Sequence, residues 1–389
     1  METIEIEILN RITDVPAPDW DRLIGDEDPF LERAFLAALE ASRSVGADAG
    51  CMPRFVLLRA GHELVGAVPL YLKTHSFGEY IFDWAWADAA ERANITYYPK
   101  LVAAVPYTPS TGRRLLVAPG VDGASVAAEL LRGVRAVADR DQVSSVHFLF
   151  CTDQDLAWLT SDRGTPYVPR LSLQFHWENR RDQPFASFEE YLLTFRSRNR
   201  KQVHKERAAA AAHGLRFRTA AGHELGEDDW EALQRFYASN VARHGGIEYL
   251  RPAFFEILRE TLAHRLVATL AYRGSTAVAG TINFEKGRRL YGRYWGCSEN
   301  FEMLHFELCY YQLIERAIEH GYTRFEAGAQ GEHKLKRGLL PAFTHSAHFI
   351  RHPVLARAVG EYVRTEAAAV AERAALYTAH APFRTGVEF

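Results

Sequence analysis

The stretch LVATLAYRGSTAVAGTINFEK, residues 266–286, decides the fold because the first half of the chain holds a near twin, FVLLRAGHELVGAVPLYLK at 55–73. Each has two apolar runs around a short polar turn, which is typical of a β-hairpin. An aromatic run follows each hairpin, EYIFDWAW at 79–86 and RLYGRYWG at 289–296, and we predict a third strand there. Hairpins also resemble one another by chance. The shared order nevertheless favours two copies of one unit.

Strands and helices alternate along the rest of the chain, which predicts an α/β (α+β) fold. Two domains are predicted, 1–165 and 166–389, with mixed, mostly antiparallel sheets flanked by helices and a cleft between them. The further strands are predicted at 4–8, 112–117, 143–150, 171–177, 215–219, 323–328 and 344–350. The helices are predicted at 19–41, 125–140, 187–213, 227–243, 252–263, 302–320 and 354–379.

Composition narrows the class of protein. The chain has 389 residues, of which 48% are hydrophobic and 24% charged, as in globular proteins of two or three domains. A net charge of −3 gives no general attraction to nucleic acid or anionic lipid. The four cysteines form no CxxC pair, so neither a disulfide framework nor a metal site is expected. No apolar run reaches the roughly 20 residues of a membrane span, and we expect a cytoplasmic protein.

The stretch EAGAQGEHKLKRG, residues 326–338, is the first candidate for chemistry. It follows a short strand, and its glycines allow tight turns and close approach to a ligand. The cations just past the turn suit an anionic or carbonyl-bearing ligand, and the carboxylates and imidazole of this stretch are possible bases. The alternative is an ordinary turn with solvated charges. The candidates for base or cation are Glu326, Glu332, His333, Lys334 and Lys336, with Gln330 as an oxyanion donor.

A second group of candidates follows the first hairpin. If 79–86 is a strand, Glu79 and Asp83 share one face. Such a carboxylate pair would bind the ammonium group of an acceptor. A half-buried edge strand explains the pattern equally well. The predicted substrate-binding residues here are His75, Glu79, Asp83, Trp84, Trp86, Tyr98 and Lys100, and Arg293 and Trp295 mirror them in the second half.

The segment 196–207 is strongly basic for a chain that is slightly acidic overall. Clustered cations suit phosphate groups, as in tRNA, a nucleotide-linked substrate or coenzyme A. A solvated helix face is the usual alternative. The predicted phosphate- or donor-binding residues are Arg198, Arg200 and Lys201, together with Arg337 from the later stretch.

The chain resembles the FemAB-like predicted N-acyltransferases, whose tandem GNAT units are similar to the Fem-type peptidoglycan aminoacyltransferases. Three stretches carry the resemblance: 75–116, RSRNRKQVHKERAAAAAHGL at 196–215, and FEAGAQGEHKLKRGLLPAFTHSAHFI at 325–350. The resemblance implies N-acyl or aminoacyl transfer from a co-substrate donor, aminoacyl-tRNA or acyl-CoA, with no tightly bound cofactor. LKRGLL (335–340) resembles a family segment that follows the late strand and glycine-rich loop and whose lysine lies near the reacting groups, which implies that role for Lys336, although Leu335 stands where the family has phenylalanine.

One departure from the family pattern concerns the donor. Many acyl-CoA-dependent GNAT enzymes have a glycine-containing loop after the aromatic strand, and GCSENFEMLHFE at 296–307 lacks those glycines. This favours aminoacyl-tRNA or another activated acyl group over acyl-CoA. The sequence therefore predicts an acyltransferase acting on a small-molecule or peptide amine. The alternative is a non-catalytic module that binds a cell-wall precursor or peptide.

Overall fold

The computed structural model describes residues 4–329 and 331–386, and their packing forms two compact units. The first unit runs to Leu173 and adds Phe343–Glu372, and the second comprises Gln174–Ala342 and the residues from Arg373 onward. The predicted boundary after residue 165 lies close to the first crossing. Residues 343–372, however, lie with the first unit and not the second, because the strand at 340–350 pairs with a strand of the first unit.

Fifteen strands are present in the described residues. In chain order they are β1 Ile4–Leu9, β2 Cys51–Pro53, β3 Phe55–Ala60, β4 Glu63–Val68, β5 Leu70–Lys73, β6 Lys100–Ala103, β7 Leu116–Val117, β8 Ser145–Cys151, β9 Val168–Glu178, β10 Arg216–Ala221, β11 Leu266–Arg273, β12 Thr276–Lys286, β13 Arg289–Cys297, β14 Arg324–Glu326 and β15 Leu340–Ile350.

Twelve α-helical segments accompany these strands in the described part of the chain. They are α1 Ala17–Asp21, α2 Arg33–Ala41, α3 Trp84–Arg92, α4 Gly123–Arg140, α5 Asp153–Ser161, α6 Phe188–Leu193, α7 Ser197–Ala211, α8 Glu227–Arg243, α9 Pro252–Thr261, α10 Leu304–Phe306, α11 Gln312–Glu319 and α12 Pro353–Ala379. Between α10 and α11 the helix continues through a π-helical turn, Glu307–Tyr311, and Glu332–Arg337 forms 3₁₀ turns.

The second unit is built on the predicted hairpin of β11 and β12. Strands β10, β11, β12 and β13 are antiparallel neighbours in chain order, and β14 then pairs with β13 in parallel. The end of β9 pairs with β14 in antiparallel fashion. A parallel pair requires a crossover connection, and the helix from α10 to α11 supplies it. The hairpin, the aromatic strand β13 and the crossover helix confirm the predicted order.

The first unit repeats this plan. Strands β1, β3, β4 and β7 form one antiparallel sheet. A second group runs β15, β8, β6, β5 and β2, and within it β6 and β8 are parallel while the other neighbours are antiparallel. Helix α4 connects the hairpin region to β8 and buries its apolar side, which includes Leu130 and Val134, against β3 and β4. Both units thus place a parallel pair after an antiparallel hairpin, as the predicted fold class requires.

The counterpart of β13 in the first unit is β6 and not the predicted strand at 79–86. That prediction was wrong, because Gly78 and Tyr80 have left-handed φ angles of 74° and 61° and the helix α3 begins at Trp84. Extended strands do not accommodate such φ angles. The aromatic composition of EYIFDWAW is typical of a strand, but its backbone does not form one.

Two long helices of the sequence prediction are interrupted in the structure. The region 187–213 divides into α6 and α7, because Arg196 is extended at φ −59° and ψ 143°. The region 19–41 likewise divides into α1 and α2. Because of the break after α6, the basic helix α7 does not continue α6 but follows it after the extended residue Arg196.

Gly338 gives a test of how tightly the loop before β15 is packed. It has φ +84°, and a Cβ there would lie 1.9 Å from the hydroxyl oxygen of Tyr191. Gly321 also has a left-handed φ of +64°, but a Cβ there meets nothing within 4 Å. We expect Gly321→Ala to lower the free energy of unfolding by about 1 kcal/mol and Gly338→Ala by about 3 kcal/mol, because only the latter adds a clash. Chemical denaturation measures both, and equal losses would contradict this packing.

Candidate functional site

A cavity opens in the second unit where the parallel pair of β13 and β14 ends. The two strands pair at three positions only, from Arg289 with Arg324 to Tyr291 with Glu326. Beyond that point β13 continues to Cys297, while the chain after β14 turns into the loop 327–329. The separation leaves a cavity of about 260 Å³. The carboxyl ends of parallel strands are a common place for ligand sites in sheets with helical crossovers.

Irregular backbone shapes two walls of this cavity. The ladder between β12 and β13 shifts register at Ile282 and Asn283, so Arg293 is the extra residue of a β-bulge. On the facing wall, the π-helical turn brings Cys309 and Tyr310 to the cavity. The side chain of Thr269 donates a hydrogen bond of 3.0 Å to the Leu308 carbonyl oxygen in this turn. Bulges and π-helical turns both occur often at functional sites, because they redirect individual side chains.

Lys334 is the ionisable residue of greatest interest in the cavity. Its side chain is 2% exposed, and Nζ donates a hydrogen bond of 2.8 Å to the Gly328 carbonyl oxygen. Among the residues that the structure describes, no carboxylate lies within ion-pair distance of Nζ. Burial therefore lowers the pKa of Lys334 to about 7. A lysine half-deprotonated near neutral pH is suited to proton transfer.

Two histidines lie beside Lys334. His333 Nε2 is 2.9 Å from the hydroxyl oxygen of Tyr310, and burial of the His333 ring, with the nearby Arg337 and Lys334 charges, lowers its pKa. The ring of His305 is 6.0 Å from that of His333, and burial lowers the pKa of His305 to about 4. Both rings are therefore neutral at pH 7, while Arg293 brings a positive charge to the same cavity.

Lys336, which the family resemblance placed near the reacting groups, is exposed and does not line the cavity. Its neighbour two positions earlier, Lys334, occupies the cavity instead, because in the 3₁₀ turns of 332–337 residues 334 and 336 point in different directions. Glu332 is exposed and accepts a hydrogen bond from the Tyr377 hydroxyl. Glu326 is buried in β14, with its carboxylate 3.9 Å from the Arg289 guanidinium. Gln330 lies outside the described residues.

Arg337 is buried and forms an internal ion pair, so the prediction that it binds donor phosphate does not match its surroundings. Its guanidinium donates to Glu206 Oε2 at 2.8 Å and to the His333 carbonyl oxygen at 2.7 Å. The Tyr311 hydroxyl donates to the same carboxylate, and the guanidinium stacks 3.2 Å from the centre of the Phe306 ring. Arg337 thus fixes the loop that carries Lys334 to helix α7 and to the crossover helix.

The other predicted phosphate-binding residues lie on α7, whose amino-terminal half is basic. Arg198 and Lys201 are exposed, and Arg200 is half-buried. The opposite side of α7 holds Arg207, which donates to Glu307 in the π-helical turn and to Glu315 in α11. The helix is therefore anchored to an element that lines the cavity, while its cations face solvent.

In the first unit the predicted carboxylate pair does converge, but on a lysine of the protein itself. Lys100 is fully buried, and its Nζ lies 2.8 Å from Glu79 Oε2 and 2.5 Å from Asp83 Oδ2. The other oxygen of Glu79 pairs with Lys73 at 2.9 Å. Two ammonium groups thus balance two carboxylates. The prediction that Glu79 and Asp83 bind an acceptor ammonium was wrong, because Lys73 and Lys100 already satisfy them.

The pKa shifts of Asp83 and Lys100 agree with an ion pair between these two members of the quartet. Burial alone would raise the pKa of Asp83, but the Lys100 charge and the hydrogen bonds from Lys100 and Ser76 together outweigh burial and hold this pKa far below its usual range. Burial alone would lower the pKa of Lys100, and the Glu79 and Asp83 carboxylates reverse this effect and raise it. The Tyr97 hydroxyl also donates to Asp83 at 2.7 Å. These contacts indicate that the quartet holds the loop before α3 against β6.

The remaining predicted residues of the first unit divide between core and surface. Trp86 is buried with its ring 4.9 Å from that of His348, whereas Trp84 is 37% exposed. His75 bonds to the Ala49 carbonyl oxygen at 2.9 Å. Tyr98 bonds to Ser76 at 2.8 Å and, with Trp84, lines an open cavity of about 500 Å³. Of this predicted set, Trp84 and Tyr98 alone line that cavity in the described part of the chain.

A buried histidine pair beside the quartet was missed from the sequence. His147 in β8 and His348 in β15 meet Nδ1 to Nδ1 at 2.7 Å, and each bonds through Nε2 to a serine two residues before it. Burial lowers the pKa of His147 to about 3 and that of His348 well below its ordinary value. The repeated pattern Ser-x-His in two strands was the available signal, as in SVH at 145–147 and SAH at 346–348.

The two units share one arrangement, a hairpin followed by a parallel strand pair that is joined through helix. The family model for FemAB-like proteins, described as peptidoglycan biosynthesis/recognition, matches residues 11–385. The chain therefore belongs to the FemAB-like family, as the sequence resemblance predicted. No curated protein matches it significantly.

Several solved structures share the fold. FemX is 12% identical over 91% of this chain and 100% of its own, with a TM-score of 0.52. L-PGS from Bacillus licheniformis is 13% identical over 87% of this chain and 98% of its own, with a TM-score of 0.51. A conserved protein of unknown function from Bacteroides thetaiotaomicron VPI-5482 is 11% identical over 90% and 100%, with a TM-score of 0.50. At these identities the likeness concerns the fold.

Two general properties complete the description. No helix in residues 4–329 and 331–386 combines the length and apolar character needed to cross a bilayer. Within the same residues, no group of three or more histidine, cysteine or acidic side chains is placed to hold a metal ion.

The quartet gives a test of a structural role for Lys100. We expect Lys100→Met to lower the free energy of unfolding by about 3–5 kcal/mol, because it leaves buried carboxylate charge uncompensated. The same substitution at the exposed Lys205 is expected to change stability by less than about 0.5 kcal/mol. Urea denaturation at pH 7 compares the two. If Lys100→Met were as mild as Lys205→Met, the quartet would not hold the first unit together.

Proposed function

We propose that this protein transfers an activated acyl or aminoacyl group to an amine, and that the reacting carbonyl is held in the second-unit cavity beside Lys334. The observation that supports this proposal is the buried Lys334 amine at the carboxyl end of a separating parallel strand pair. It is consistent with membership of the FemAB-like family. The cavity volume of about 260 Å³ suits the acyl end of a donor, with the rest of the donor outside.

Lys334 has the properties of a proton acceptor for this reaction. An amine acceptor arrives mostly as an ammonium ion and must lose a proton before its nitrogen can attack. In the proposed step neutral Lys334 Nζ takes that proton, the nitrogen–carbon bond forms, and the bond from the carbonyl carbon to the leaving oxygen or sulfur breaks. Lys334 returns a proton to the leaving group, and the second proton of the acceptor nitrogen passes to solvent. A base with a pKa near the working pH is effective in both directions.

Helix α7 supports a donor that carries phosphate. Its exposed Arg198 and Lys201 face solvent, while Arg207 bonds to Glu307 in the turn that lines the cavity. We propose that these two exposed cations bind the phosphates of the donor while its acyl end enters the cavity. The absence of acyl-CoA-type glycines in 296–307 favours aminoacyl-tRNA as that donor. The acceptor is proposed to be a small-molecule or peptide amine.

A comparison of two lysines tests the site. We expect Lys334→Met to reduce transfer at least about 100-fold, because general base catalysis contributes about 10²–10⁴. Lys336→Met is expected to stay within about twofold of the unchanged protein, because Lys336 does not line the cavity. Mass spectrometry of acceptor products, with acyl-CoA and aminoacyl-tRNA donors in separate arms, gives the rates.

Each outcome of that comparison has one meaning. If Lys336→Met lost transfer activity while Lys334→Met retained it, Lys336 would be the important lysine, as the family resemblance implied, and the assignment of the site to the cavity would be contradicted. If the unchanged protein binds amines or peptides but transfers from neither class of donor, it is a non-catalytic binding module. Arg198→Ala with Lys201→Ala separates donor binding from chemistry, because their loss should raise KM for the donor with little change in kcat.

The pH dependence of transfer follows from the lowered pKa of Lys334. Only its neutral form accepts a proton, and that form becomes the majority above pH of about 7. We therefore expect kcat to rise about tenfold per pH unit below that value and to level off above it. A hydrazide acceptor is already neutral across the range, but its attacking nitrogen must still lose a proton to Lys334 as the new bond forms, so the enzyme is the titrating partner. A profile that is flat between pH 5.5 and 8 would contradict the base role.

A further inference from the structure

Lysine environments in this chain differ in a way that singles out one nucleophile. The sequence holds seven lysines: Lys73, Lys100, Lys201, Lys205, Lys286, Lys334 and Lys336. Three are buried, and two of these, Lys73 and Lys100, are paired with carboxylates. Lys334 is the buried lysine without a carboxylate partner among the described residues, and it lines an open cavity. The Lys334 side chain is therefore buried, and a small reagent can reach it through the cavity.

The groups that face Lys334 do not restore its charge. They come from the elements around the cavity: His176 on β9, Arg293 and Tyr294 on β13, His305 on α10, Cys309 and Tyr310 in the π-helical turn, and His333 and Arg337 in the same turns as Lys334, while β12 contributes the uncharged Thr281 and Asn283. His176, His305 and His333 have lowered pKa values and are neutral at pH 7. Burial is the main effect on the Lys334 amine, and the Cys309 thiol, which acts in the opposite direction, does not offset it. The environment therefore favours the uncharged amine, which carries the nucleophilic lone pair.

The same burial has the opposite chemical effect on the neighbouring thiol. Burial raises the pKa of Cys309 well above its ordinary value, so its sulfur stays protonated. A thiol reacts as its thiolate, whereas an amine reacts in its neutral form. Burial in one cavity thus favours the reactive neutral amine of Lys334 and the unreactive protonated thiol of Cys309. This contrast distinguishes a nucleophilic amine from a generally reactive pocket.

We propose that Lys334 is a self-acylation site, at which a small activated ester or thioester that enters the cavity transfers its acyl group to Nζ. The Nζ lone pair attacks the carbonyl carbon, the nitrogen–carbon bond forms, the bond to the leaving oxygen or sulfur breaks, and the nitrogen proton leaves with the departing group. The resulting amide no longer accepts a proton. Where the reagent is the natural donor, this inference rests on the proposed function, and acylated Lys334 is an inactive form that accumulates when acceptor is scarce.

A labelling experiment without any acceptor tests the proposal. The full-length protein is treated at pH 7 with a limiting amount of the N-hydroxysuccinimide ester of acetic acid, and peptide mapping follows each lysine. We expect Lys334 to be acetylated at least about tenfold faster than the exposed Lys201, Lys205 and Lys336, because burial favours its neutral, nucleophilic form. Lys73 and Lys100 should remain unmodified. Iodoacetamide at the same pH should leave Cys309 unmodified in the native protein.

The controls separate this inference from the proposed function. Labelling of Lys334 should lose its advantage in urea, where all lysines share ordinary pKa values, and Lys334→Met should lose only that label. If Lys334 reacts no faster than Lys336 in the native protein, the proposal is overturned, whatever the transfer assay shows. If Lys334 is labelled first but no donor supports transfer, the nucleophilic site stands and the transferase function fails.

Discussion

Parallel pairing between β13 and β14 lasts for three residues, and the site in the second unit depends on where it ends. If the pair continued, backbone hydrogen bonds would close the space that the cavity occupies. The crossover helix lines one side of the opening through its π-helical turn, and the glycine-rich loop after β14 lines another. The ion pair of Arg337 with Glu206 then holds the loop against α7.

The two units treat a buried lysine in opposite ways. In the first unit Lys100 is neutralised by Glu79 and Asp83, and the ammonium group becomes a structural tie that strengthens β6 and the start of α3. In the second unit Lys334 has a carbonyl oxygen as its described partner and no described carboxylate, so burial moves its pKa toward neutrality. The same side chain thus stabilises the fold where it is paired, and where it is unpaired it has the lowered pKa on which the proposed function rests. This contrast agrees with an active site in the second unit.

Local pattern in the sequence was sufficient for the fold but not for the site. Both hairpins, the strand at 289–296 and the FemAB-like family were predicted correctly, because alternating apolar runs and turn residues are local signals. The strand at 79–86 was not, since aromatic content is shared by strands and helix starts and the left-handed φ of Tyr80 has no signature in sequence. The stretch 326–338 was identified, yet Lys334 and Lys336 differ only by which way a 3₁₀ turn directs them. Likewise, the ion pair between Lys100 and Asp83 joins residues 17 positions apart, and no local pattern in the sequence indicates such a contact.

The ionisation of Lys334 is the property on which the account depends most. With only seven lysines, the ¹³C NMR signal of its ε-carbon can be followed in the folded protein and assigned by its absence in Lys334→Met. The account predicts a titration midpoint near pH 7, well below the ordinary lysine pKa of 10.5. A midpoint at or above that ordinary value would show a charged lysine in the cavity, and neither the base role nor the nucleophilic role would then hold.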